Sequence, residues 1–122
     1  MRWPFAKPVS LARQGEKLAA RYLRKRGCRI LERNVRFGRY EIDLIARHRD
    51  TVIFVEVKTR RHDALVPPEQ SVNAAKQRHI RAAAHQYIAN RENVVSYYRF
   101  DVIAIRIPER GKPVIEHFED AF

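Results

Sequence analysis

Apolar and polar positions along this chain repeat with two different periods. Between Ser10 and Gly27, Leu11, Leu18, Tyr22 and Leu23, with several alanines, recur at helical spacing. Arg13, Lys17, Arg21 and Arg24 occupy the opposite face. Ser10 offers an N-cap hydroxyl and Gly27 a C-terminal stop, so the pattern predicts an amphipathic helix with a basic outer face. Cys28 to Val35 alternates weakly and reads as a strand; Phe37-Gly38-Arg39 reads as a turn, because glycine tolerates positive φ. Tyr40–Arg47 and Thr51–Lys58 carry the strongest strand patterns. The short polar break His48-Arg49-Asp50 makes them a hairpin.

Beyond the hairpin, residues 59–70 are polar, contain Pro67 and Pro68, and read as a mobile loop. Ser71 is the expected cap of a second helix running to about Asn90, with Val72, Ala75, His79, Ala82, Ala83 and Tyr87 as its core face. Arg99–Ile107 is a further strand, with Phe100, Val102, Ala104 and Arg106 on one face and Asp101, Ile103, Ile105 and Ile107 on the other. After a turn at 108–112, Pro113–Phe118 reads as a last edge strand. Helix, strand run, helix and strands in that order predict an α/β fold. No repeat or linker divides the chain, so residues 10–122 are expected to form one domain, preceded by a flexible arm over 1–9 that holds Pro4, Pro8 and Trp3.

Charge narrows the function. The 122 residues hold 25 Lys+Arg against 14 Asp+Glu, a net charge of +11, which on a small domain points to nucleic acid or, less often, an anionic surface. Basic charge supplies phosphate affinity but no chemistry. A single cysteine, Cys28, excludes an intrachain disulfide and a thiolate zinc site, and is expected to be a buried structural thiol. The five histidines show no metal-binding pair on one helix, and no nucleophile elbow supports Ser-His-Asp catalysis. Four scattered glycines build no phosphate-cradling loop, so no small-molecule cofactor is expected. No run approaches the roughly 18–20 apolar residues of a membrane span. The basic, aromatic start lacks the apolar stretch of a signal peptide, so no membrane association and a cytoplasmic location are expected.

The hairpin carries the candidate chemistry. Strand side chains two apart share a face, so Glu41 lies with Asp43, and Glu56 with Lys58. If the turn is centred between Arg49 and Asp50, Asp43 lies opposite Glu56. Directly opposed Cβ atoms are about 4.5–5.5 Å apart, and two carboxylates at that spacing repel unless a cation joins them. Mg²⁺ takes hard oxygen ligands of this kind. A one-residue slip would destroy the pairing. Val52, Ile53, Phe54, Val55 and Val57 make the second strand almost continuously apolar, hence central. A Glu and a Lys at its end must then be paired with each other, bound to metal, or at a cleft edge. In a metal-assisted hydrolysis, Asp43 and Glu56 would hold the ion while Lys58 stabilises developing charge or orients water.

Gly38-Arg39-Tyr40-Glu41-Ile42-Asp43-Leu44-Ile45-Ala46, Val55-Glu56-Val57-Lys58-Thr59-Arg60 and Arg99-Phe100-Asp101-Val102 together resemble the bacterial family UPF0102, the YraN-like proteins. That family is similar to archaeal Holliday-junction resolvases and to the PD-(D/E)xK nuclease superfamily. The resemblance implies a restriction-endonuclease-like fold, a mixed sheet flanked by helices. It makes Asp43 the metal-binding aspartate, Glu56 and Lys58 the E-x-K pair, and Glu16 the first-helix glutamate, a further metal ligand. It departs from the superfamily at Ile42, where proline is common. It implies a Mg²⁺ (or Mn²⁺) dependent DNA endonuclease, with branched DNA as a suggested substrate and a homodimer as the expected assembly.

Arg39, Arg60 and Lys76 are the expected nucleic-acid contacts: Arg60 at the cleft mouth, and Lys76 at the start of the second helix, which the resolvase resemblance makes phosphate-facing and which reads equally as a solvated helical face. Glu41 is either an acid that orients a metal water or Arg39, or a solvated residue. Asp101 is expected to be a structural partner for a nearby arginine. Two other readings stand beside the nuclease: a non-catalytic nucleic-acid-binding protein with an idle metal site, and a basic protein contacting RNA or the ribosome with Asp43 and Glu56 merely structural.

Overall fold

The computed structural model describes residues 9–61, 72–90 and 97–122. Helix α1 (Leu11–Lys25) is followed by β1 (Arg29–Phe37), β2 (Tyr40–His48) and β3 (Thr51–Arg61), then α2 (Ala74–Ala89), β4 (Tyr97–Ile107) and β5 (Val114–Phe118). The strands form one sheet in the order β1-β2-β3-β4-β5. Among the described residues only β3 and β4 pair parallel, with α2 in the connection between them, as a crossover requires; the other neighbours are antiparallel. The result is the expected α/β fold, a mixed sheet flanked by helices.

Each helix covers one face. Ala19, Ala20 and Leu23 of α1 pack with Leu44, Ala46, Ile53, Val55, Ile103 and Ile105. Ile80, Ala83, Ala84 and Tyr87 of α2 pack with Ile42, Ile45, Val52, Phe54, Phe100 and Val102. β3 is thus central and covered on both sides, which explains why its run lacks a polar face.

The caps of α1 follow the sequence. Ser10 accepts from the Arg13 N–H, and Gly27, at φ 90°, ends the helix with Gly27 N–H to Arg24 O and Cys28 N–H to Leu23 O, both 3.0 Å. Helix α2 departs from expectation. Its cap is Asn73, which accepts from the Lys76 N–H, not Ser71. Its buried face is Ile80, Ala83, Ala84 and Tyr87, so Ala83 and Tyr87 lie in the core as expected, whereas Ala75 and His79 are exposed and His79 stacks on Tyr40. An apolar stripe through Ile80 buries more hydrocarbon than one through a histidine, and helical spacing across so many alanines discriminates poorly between the two. β3 runs on through Thr59 and Arg60 to Arg61, because β4 continues beside it with Thr59↔Ile105, Arg60↔Arg106 and Arg61↔Ile107 paired. The start of the expected loop is therefore strand; its remainder, 62–70, Ser71 and residues 1–8 of the arm lie outside the described residues.

Candidate functional site

The β2–β3 hairpin closes through a two-residue turn at Arg49 and Asp50, and its pairing runs from His48↔Thr51 to Leu44↔Val55. The next positions in this register are Asp43 and Glu56. There the ladder ends, and the Asp43 carboxylate takes over: its Oδ2 accepts the Val57 N–H at 2.8 Å. Alternation in β2 also breaks at this residue. Ile42 and Ile45 pack on the α2 face, whereas Leu44 and Ala46 pack on the α1 face. Across β1, the residue facing Asp43 is Asn34, bracketed by the pairs Arg33↔Leu44 and Val35↔Ile42. Asn34 has φ 49°, a left-handed value inside a strand. Asparagine tolerates that region better than most residues. Two irregular residues side by side thus open the sheet where the acids stand.

Asp43 and Glu56 meet as the loop symmetry predicted. Burial pushes the Asp43 carboxyl up to about 7; the neighbouring Glu56 carboxylate acts in the same direction, and the Val57 N–H opposes both. Burial also raises Glu56, against the lowering effect of the Lys76 and Lys58 charges. Glu56 Oε2 is buried and, among the described residues, has no hydrogen-bond partner. An orphaned carboxylate oxygen beside a second carboxylate is costly, and a hard divalent cation is the group that both would accept.

Lys58 lies two residues beyond Glu56 on the same strand, half-buried, with its charge felt by Glu56. Lys76, in the first turn of α2, places its ammonium 3.5 Å from Glu56 Oε1. Expected among the nucleic-acid contacts, it also reaches the acid pair, a contact between elements distant in sequence that no local pattern relates. Glu16 sits in the first half of α1, with Oε2 accepting from Asn34 Nδ2 at 2.9 Å. Its charge adds to the rise in Asp43. Among the described residues no three acidic, histidine or cysteine side chains stand close enough to hold an ion together, so Glu16 flanks the Asp43–Glu56 pair rather than completing it.

Helix α1 can approach so closely because of Gly15. A Cβ at that position would overlap the Thr59 side chain on β3. The first half of α1 therefore seats on β3 at Thr59, while Lys76 reaches Glu56 from the start of α2. Neither helix has an acid in its first turn, so no side chain there offsets its positive end.

The remaining expected contacts are dispersed. Arg39 is exposed in the β1–β2 turn, four residues or about 13 Å of strand from Asp43. Arg60 is half-buried within β3 rather than in a loop at the cleft mouth. Glu41 forms an exposed pair with Arg36 at 3.7 Å. Asn34 was missed; an amide inside an alternating strand pattern was the available signal.

Asp101 takes the expected structural role and extends it. Fully buried, it accepts from Arg99 Nε (3.0 Å to Oδ1), His117 Nε2 (2.7 Å to Oδ2) and the Asp120 N–H (3.0 Å to Oδ1). Burial alone would raise its pKa, but these bonds outweigh it and hold the carboxyl below its usual range. Tyr22 of α1 reaches His117 Nδ1 at 3.3 Å, tying the helix to β5. Cys28 is half-buried, and burial pushes its thiol up, away from a reactive thiolate. Among the described residues no helix is long and apolar enough to cross a membrane.

Among known proteins, the chain is 50% identical over 115 residues to a UPF0102 protein of Syntrophotalea carbinolica, covering 93% of this chain and 92% of that one. A UPF0102 protein of Geotalea uraniireducens is 47% identical over 113 residues, covering 93% and 89%. One from Chlorobium limicola is 47% identical over 120 residues, covering 94% and 93%. Among solved structures, Pyrococcus furiosus SfsA in complex with Ca²⁺ matches with a TM-score of 0.41 at 18% identity; the match covers 85% of this chain, which spans 60% of that one. Residues 15–105, which include Gly15, Glu16, Asp43, Glu56 and Lys58, match a family directly, and the chain belongs to the uncharacterised protein family UPF0102.

Proposed function

We propose that this protein is a Mg²⁺- or Mn²⁺-dependent phosphodiester hydrolase that cuts DNA. The observation that carries the reading is the Asp43–Glu56 contact at the open end of the β2–β3 ladder, with Glu56 Oε2 buried and unpartnered among the described residues. Such an arrangement is unfavourable as structure alone and becomes favourable around a cation. Asp43 and Glu56 are the residues that would hold the metal. When bound, the ion polarises the scissile phosphate and lowers the pKa of a coordinated water.

The chain's own groups supply the rest. The Val57 N–H fixes one Asp43 oxygen and so orients the carboxylate. Lys58, on the Glu56 face of β3, stabilises charge that develops on the phosphate. Asn34 holds Glu16 beside Asp43, which keeps further negative charge near the metal position. Lys76 neutralises Glu56 at rest and is within reach of a phosphate oxygen bound at the same place. Branched DNA, suggested by the resolvase resemblance, would need two such sites and hence a homodimer.

One observation favours a second reading, a nucleic-acid-binding protein with an idle metal site. Lys76 already gives Glu56 a cation, so the pair is partly compensated without metal. Cleavage of supercoiled, flap and four-way DNA with Mg²⁺ or Mn²⁺ separates the two. The hydrolase reading expects cutting by the wild type, and unimpaired binding without cutting by Asp43→Ala and Glu56→Ala. Identical traces from all three proteins would refute it.

A further inference from the structure

Beside the acid pair, Arg13 and Lys17 of α1 and Arg33 of β1 line a groove of about 570 Å³ whose inner wall is Glu16 and Asn34. All three cationic side chains are exposed, and none is held in an ion pair among the described residues. Arg13 and Lys17 are one helical turn apart, where like charges repel. Arg13 also lies in the first turn, where a cation opposes the helix dipole. The stability of the fold therefore gains nothing from this convergence. Glu16, the one acid in the wall, is engaged by Asn34, so three cations face the groove against one carboxylate already in a hydrogen bond.

The groove leads to the site. Asn34 forms its wall and is also the residue facing Asp43 across β1–β2, about 5 Å away at the Cα level. Glu16, the other residue of that wall, has its charge felt by Asp43, so a phosphate chain lying along Arg13, Lys17 and Arg33 would border the acid pair. The cations come from the solvent-facing side of α1 and the outer strand, so the track lies on the α1 side of the sheet, away from Lys76 and α2.

We propose that this groove is the track for one strand of the DNA backbone leading to the acid pair, with Arg13, Lys17 and Arg33 contacting successive phosphates. The proposal rests on the DNA-hydrolase reading for its substrate, but it is tested by binding alone. Each phosphate contact with a single strand contributes about 0.7 to the slope of log K against log salt. The experiment compares two triple variants by anisotropy of a labelled single-stranded oligonucleotide over a salt series in EDTA. One is Arg13→Gln/Lys17→Gln/Arg33→Gln. The other, with the same change in net charge, is Arg21→Gln/Lys25→Gln/Lys112→Gln, which alters a second groove, lined by the C-terminal half of α1 and the residues leading into β5.

The groove triple is expected to lose roughly tenfold or more in affinity at low salt and about 2 in slope, while the control stays within about threefold of wild type. Equal losses in both triples would overturn the track, because net charge alone would then explain binding. Wild-type affinity in the groove triple would overturn it too, as would a loss confined to anionic phosphatidylserine vesicles. If the wild type cuts DNA and the groove triple binds normally, the track fails and the hydrolase stands. If the wild type never cuts but only the groove triple loses affinity, the track stands and the hydrolase fails.

Discussion

Asp43→Asn removes the charge that burial and Glu56 oppose while keeping the shape of the side chain. An unperturbed aspartate has a pKa of about 3.9. In the folded protein Asp43 is pushed up to about 7. Below about pH 4 both folded and unfolded chains carry the proton, and no stability is lost. As pH rises from about 4 to 7, the unfolded chain releases the proton first, so the folded state binds more protons and stability falls with pH. A shift of about three units corresponds to about 4 kcal/mol lost by pH 8, shared with Glu56 because the pair titrates as a unit. In Asp43→Asn the amide oxygen can still accept the Val57 N–H, and the amide nitrogen can donate to the orphaned Glu56 Oε2. The variant should therefore match wild type near pH 4 and exceed it by about 2–4 kcal/mol near pH 8, where its pH profile is flatter. Urea unfolding in EDTA across that range measures the difference. Parallel wild-type and variant profiles, or a variant weaker at pH 8 than at pH 4 relative to wild type, would refute the reasoning. Adding Mg²⁺ near pH 8 should stabilise wild type more than the variant, because only wild type offers both carboxylates.

Three other substitutions test how the site is held. Gly15→Ala should cost about 1–3 kcal/mol by thermal unfolding, despite the better helix propensity of alanine, because its Cβ overlaps Thr59; adding Thr59→Ala should recover part of the loss. Asp101→Asn should cost about 3 kcal/mol, since Arg99 and His117 lose a fully buried carboxylate partner. Because Asp101 is held below its usual pKa range, its contribution is present above about pH 4 and lost as pH falls further, so the variant's deficit should shrink in acid. Asn34→Ala should cost about 1–2 kcal/mol, losing both a residue suited to φ 49° and the bond to Glu16, while Asn34→Gly should retain the backbone and lose only the bond. Denaturant midpoints for that pair distinguish the two contributions.

The one-dimensional pattern was enough for most of the fold and for the centre of the site. Helical spacing with Ser10 and Gly27 at its ends specified α1, and the unbroken apolar run Val52–Val55 specified a strand covered on both faces. The hairpin needed only two short-range facts, the strand period of two and the length of the turn, to bring Asp43 to Glu56. Local steric rules and periodicity are read from neighbours in sequence, and these features depend on nothing more.

Tertiary packing decided the rest. Which stripe of the alanine-rich α2 faces inward depends on what covers it, and Ile80 rather than His79 joins the buried cluster with Phe54 and Phe100, while Lys76 reaches Glu56. Thr59 to Arg61 stay in β3 because β4, distant in sequence, continues beside them. The Asn34–Glu16 bond and the close seat of Gly15 on Thr59 join elements that no local pattern relates. The raised pKa of Asp43 arises in the same way: its sequence neighbours permit an ordinary aspartate, and only the burial that the folded sheet imposes, with Glu56 beside it, makes the proton hard to release.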